Sequence, residues 1–124
     1  MYNEISNADW KLFRERLASW QEAYMERLAQ EYIEILSGEG RGSQKWRALE
    51  KRMKEDRKCP GVIVEVKKSN VPWVLLDLLR CQAITPEDLN GFSDDLVERV
   101  LLLYRIDLKS DMEEDSEEDA NEEI

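Results

Sequence analysis

The chain has 124 residues, a formal net charge of −10, no histidine and two cysteines. Its length suits one domain with a moderate core. The absence of any run of about eighteen apolar residues, and of a charged leader before an apolar stretch, points away from a membrane or secreted protein and toward a cytoplasmic one.

Trp10, Phe13, Leu17, Trp20, Tyr24, Leu28, Tyr32 and Ile35 step by three or four residues. That spacing predicts one helix over Ser6–Leu36 with an aromatic flank facing the core. Ala18, Met25, Ala29 and Leu36 widen the flank, while Arg16, Ser19, Glu26, Arg27, Gln30 and Glu34 form a wet back. Ser6 followed by Asp9 reads as a capping box, and Ser37-Gly38 as a stop with a left-handed glycine. Such a stripe is ordinary core, because nothing polar converges on it to suggest a ligand.

Glu39-Gly40-Arg41-Gly42-Ser43 reads as a flexible connection with Ser43 as the next cap. Its glycine spacing matches no phosphate-binding loop. A second helix is expected over about Gln44–Arg57, docked by Trp46, Leu49 and Met53. Lys45, Arg47, Lys51, Arg52, Lys54, Arg57 and Lys58 make a candidate basic surface, in a segment, 41–68, of net charge +6. Such a surface could follow a phosphate backbone, rest in solvent, or receive the chain's own acidic end.

Cys59-Pro60-Gly61 breaks that helix. Val62-Ile63-Val64-Glu65-Val66 has strand-like β-branching but no partner strand, so helical spacing through Leu78 predicts a helix over about Val62–Cys81. Pro72 must kink or restart it, with Asn70 as the new cap. Val71–Leu79 is apolar except for Asp77 and belongs deep in the core. Thr85-Pro86-Glu87-Asp88 gives one short turn. Ser93-Asp94-Asp95 then caps a last helix so apolar that Leu102 and Ile106 fall outside a single stripe, as candidate protein contacts. Residues 110–124 hold nine carboxylates and no basic side chain, which predicts a disordered tail.

The expected fold is all-α, an antiparallel helical bundle over 1–109 built on one long N-terminal helix, with the acidic tail at 110–124. Without histidine the commonest general base and metal ligand are missing. Cys59 and Cys81 are expected as free thiols, and no nucleophile, base and orienter come together. No catalysis and no cofactor or metal are expected. Function is therefore read as protein–protein interaction, as an adaptor or regulatory module, with self-association or another protein as partner. One alternative is a nucleic-acid or anionic-surface binder with an autoinhibitory tail. A second is an acidic nucleic-acid mimic that blocks a basic cleft in another protein.

Trp10, Leu12, Phe13, Trp20-Gln21-Glu22, Tyr24-Met25, Leu28, Glu31-Tyr32 and Leu36 resemble the opening of a family of small, mainly helical bacterial proteins, mostly from Firmicutes. Leu49-Glu50-Lys51-Arg52, Asp56, Gly61-Val62, Ile84, Asp88-Leu89 and Phe92-Ser93-Asp94-Asp95-Leu96 are similar to its later blocks. The resemblance implies a cytosolic, single-domain helical protein and brings no established activity. Pro72 and the long acidic tail depart from the family pattern.

Overall fold

The structure, a computed structural model, describes residues 5–122, with side chains described as far as Asp111. Its described residues form four α-helices and no strand: α1 (Asn7–Ser37), α2 (Gly42–Asp56), α3 (Val71–Arg80) and α4 (Asp94–Glu122). Single 3-10 turns occupy Lys68–Asn70 and Pro86–Leu89. The fold is all-α and rests on the long first helix, as the periodicity predicts. The acidic tail falls mostly beyond the described side chains; α4 carries the backbone to Glu122. No helix among the described residues is long and apolar enough to cross a membrane.

Ser6 caps α1 by accepting the Asp9 N–H at 3.1 Å. Asp9 does not return the contact. Its carboxylate, 3% exposed, instead accepts the Ser93 N–H and hydroxyl at 2.8 and 2.6 Å, tying the start of α4 to the start of α1. Gly38 closes α1 in an extended conformation rather than a left-handed one, and the left-handed glycine is Gly40. α2 then begins one residue ahead of Ser43, with the Arg41 N–H donating to the Gln44 side chain.

Contacts along α1 set the helix directions. Lys68 Nζ, just before α3, donates to Asn7 at 2.7 Å, and Arg27 reaches the Gln82 carbonyl, just after it, at 2.6 Å, so α3 runs from the start of α1 in the direction of Arg27. α4 leaves Asp9 and reaches Arg80, whose Nε donates to Asp107 at 2.6 Å. α3 and α4 therefore run in the same sense as α1, and the antiparallel relation belongs to the α1–α2 hairpin. α3 is the centre of the core: Val71, Val74, Leu75, Leu76, Leu78 and Leu79 are buried with Phe13, Leu89, Phe92, Leu96 and Val100.

The helix expected from Val62 starts only at Val71. Val62 closes the turn after Cys59, residues 63–67 form no helix and no strand pairing, and Val62, Val64 and Val66 are half-buried while Ile63, Glu65 and Lys67 are exposed. Span decides this. Gly61 lies against Tyr24 and Lys68 reaches Asn7, points about 25 Å apart along α1 at about 1.5 Å per residue. Seven residue steps cover that distance at about 3.3 Å each, but only about 10 Å as helix. Pro72, in the first turn of α3, restarts the helix where the distance has been covered.

Cys59 and Cys81, expected as free thiols, form a disulfide with Cα atoms 6.2 Å apart. The breaker Pro60-Gly61 and the end of α3 both abut Tyr24, which brings together two residues 22 apart in sequence. In the chain-entropy model, closing that loop stabilises the fold by about 3 kcal/mol. Beside it, Gly61 is required by contact rather than by backbone angle: a Cβ there would lie 2.5 Å from the Tyr24 ring and 3.1 Å from Ala83. Gly61→Ala should lower stability by about 1–3 kcal/mol in thermal or urea unfolding. Gly42→Ala, with nothing within 4 Å of the added carbon, should be neutral or stabilising by up to about 1 kcal/mol.

Candidate docking surface

Beyond Leu28, α1 has only α2 for cover. No residue of α2 is fully buried, and its inward stripe is Lys45, Leu49, Arg52 and Asp56, each half-exposed. The expected anchors Trp46 and Met53 are 73% and 43% exposed; of that trio only Leu49 lies in the contact stripe, and Met53 sits at the edge of the α1–α2 groove. At about 100° per residue, the apolar line is rotated by about 60° from the contact line. Sequence offers both stripes at helical spacing, and the structure takes the polar one.

Polar contacts hold this rotation. Tyr32 on α1 donates its hydroxyl to Asp56 at 2.5 Å. Arg52 pairs with Glu31 at 3.3 Å and Asp56 at 3.5 Å, and its guanidinium lies 5.7 Å from the Tyr32 ring centre. Arg52 therefore leaves the candidate basic surface, being neutralised within the hairpin. Lys45 is half-buried beside it, while Arg47, Lys51, Lys54, Arg57 and Lys58 are exposed. Arg47, Lys51 and Lys54 recur at spacings of four and three, which keeps them on one side of α2, and Lys58 follows in the turn after it.

An open groove of about 520 Å³ runs along the exposed face between Trp46, Leu49, Glu50, Met53, Lys54 and Arg57. Through Met53 and Arg57 it meets a smaller apolar groove of about 240 Å³ that includes Met25, Ala29 and Val62. Ile33 and Leu36 are exposed farther along α1. The arm is thus an uncovered apolar surface beside a basic one. The predicted contacts Leu102 and Ile106 are 59% and 55% exposed, on the side of α4 away from buried Leu96 and Val100.

Among the described residues, no group of three or more Cys, Asp or Glu is placed to hold a metal ion. Compared with protein families, curated proteins and solved structures, the chain has no match. The residues that sequence reading missed here are Tyr32, Asp56 and Glu31. The signal that could have exposed them is the Arg52–Asp56 pair, four apart and facing two polar residues of α1.

Burial pushes the Tyr32 phenol up to about 12, reinforced by its hydrogen bond to Asp56 and by that carboxylate's charge. Burial likewise raises Tyr24, with Asp56 adding to it. A phenol whose ionisation is raised in the fold contributes stability that is complete below pH about 10 and is lost as pH rises toward about 12. The absorbance titration near the phenolate band should therefore place the component removed by Tyr32→Phe near pH 12. Asp56→Asn should move that component to lower pH.

Proposed function

We propose that this chain is a non-catalytic helical binding module whose α1–α2 arm receives another protein. The observation that carries the reading is the outward rotation of α2. Leaving a large apolar side chain such as Trp46 mostly in water forgoes most of roughly 1.5–3 kcal/mol, and the 43% exposure of Met53 forgoes a smaller part. The exposed ion pairs made instead contribute about 0–1 kcal/mol, and the tyrosine hydrogen bond about 1 kcal/mol. An isolated chain loses by that exchange, whereas a chain whose apolar line is covered in a complex recovers the burial there. The groove, with aromatic and methionine side chains and an arginine at its edge, has the composition of interface centres.

The Arg47, Lys51 and Lys54 stripe, with Lys58 after it, supports a second reading, contact with a phosphate backbone, whose mark is steep salt dependence. It comes second because Met53 and the apolar groove have no role on a phosphate backbone. Acidic mimicry draws on 110–124, which lies mostly outside the described side chains, and nothing in the arm supports it. A photo-crosslinking side chain at position 46 should give a discrete protein adduct in cells, with none from position 98 on α4. Absence of any adduct at 46 overturns the reading.

We propose the cytoplasm as its setting, where the reducing thiol pool would make the Cys59–Cys81 bond conditional. Alkylation of freshly quenched cells should then find a thiol fraction at both positions. A fully bridged pair contradicts a cytoplasmic location.

A further inference from the structure

We propose that the Cys59–Cys81 bond is an exchange site for a cellular thiol, and that its opening switches the docking face of α2 from presented to covered. This rests on the reading of the arm as a protein-docking surface and names its regulation.

The first argument is what holds α2. Its outward rotation leaves Trp46 in water, and the polar contacts made in return stabilise less than the burial forgone. Among the described residues, the hydrogen bonds and ion pairs of α2 side chains with other elements reach only Glu31 and Tyr32. In a free chain a further constraint has to keep this rotation, and Cys59 supplies it. The N–H groups of Arg57, Lys58 and Cys59 donate to the carbonyls of Met53, Glu55 and Asp56, which continues the turns of α2 as far as Cys59. The bridge then fixes that residue to Cys81, the cap of α3, with Cα atoms 6.2 Å apart. Turning α2 about its axis would carry Cys59 along, so the bridge resists the turn.

The second argument is access and polarity. An open cleft of about 380 Å³ between Lys58, Pro60, Asp77 and Arg80 reaches both cysteines. A second, of about 210 Å³ beside Arg27 and Arg52, reaches Cys81. Cys59 is buried and Cys81 half-buried, so an incoming thiolate meets Cys81. The two sulfurs also differ as leaving groups. The Gly61 N–H donates to Cys59 Sγ at 3.2 Å and stabilises negative charge there, whereas Cys81 Sγ lies 3.7 Å from the Leu78 carbonyl oxygen, which disfavours it. Thiolate attack on Cys81 Sγ forms a mixed disulfide, breaks the bridge and releases Cys59 as a thiolate, which takes a proton from water. A second thiolate attacks the sulfur of the bound thiol, releasing Cys81 as a thiolate that is protonated in turn. Two external thiols leave as one disulfide, and their two electrons have reduced the bridge. With Cys59 released, α2 turns by about 60° and lays Trp46 and Met53 on α1.

The full chain, prepared bridged, is exposed to reduced glutathione in rising ratio to glutathione disulfide, and free thiols are trapped by alkylation. Mass spectrometry should find glutathione on Cys81 and the alkyl group on Cys59, with the reverse arrangement at least about tenfold rarer. Acrylamide quenching of Trp46, read as the difference between the chain and Trp46→Phe, should be strong in the bridged state, largely lost on reduction and recovered on reoxidation. Far-UV circular dichroism should stay helical in both states. A double variant, Cys59→Ser with Cys81→Ser, should keep Trp46 shielded whether or not thiol is present. Glutathione mainly on Cys59, no exchange, equal quenching of Trp46 in both states, or loss of helix on reduction would each overturn the proposal. If position 46 crosslinks to a protein while its quenching ignores the redox state, this inference fails and the docking reading stands. If exchange and quenching behave as expected while position 46 gives no adduct in cells, the docking reading fails and the exchange site stands.

Discussion

The molecule is organised by a mismatch in length. α1 has 31 residues and α3, the buried centre, has 10, which is about 46 Å against about 15 Å. A core built around α3 can cover only the first half of such a rod. The second half must be covered by something else, and α2 covers one side of it. Compact core and projecting arm both follow from this difference, and so does the functional reading, since an arm with one layer of cover has faces to offer.

The return segments are a second consequence. The chain goes back twice to the start of α1, through 57–70 and 81–93, with little regular structure to satisfy its backbone. Polar side chains of α1 meet that need. Arg16 donates to the carbonyls of Asp88 and Asn90, Gln21 to Pro60 and Arg27 to Gln82, while Asp9 accepts the Ser93 N–H. Arg16 and Arg27, which the helical wheel assigns to a wet back, are therefore structural ties. They accept long connections into the fold because each supplies charge-assisted hydrogen bonds where a ladder is missing.

In α2 the competition between an apolar and a polar stripe goes to the polar one. Tyr32, Glu31, Arg52 and Asp56 interlock, and hydrogen bonds are directional whereas apolar burial can be satisfied by any cover. The interlock sets the helix rotation and leaves the apolar line of α2 largely uncovered.

Local pattern in the sequence determined the helical class, the span and aromatic flank of α1, the Ser6 and Ser93 caps, the restart at Pro72 and the depth of Val71–Leu79 apart from Trp73, which is 59% exposed. Those features depend on residues within a few turns of one another, where periodicity and capping act directly. Tertiary structure alone decided the non-helical course of 63–67, the pairing of Cys59 with Cys81, the link from Asp9 to Ser93 and the rotation of α2. Each joins residues far apart in sequence or is imposed by a distance along α1. A helix-like spacing at Val62 was overruled because only extended chain spans the distance, and an apolar line at Trp46 was turned outward because polar partners on α1 were in reach of the neighbouring stripe.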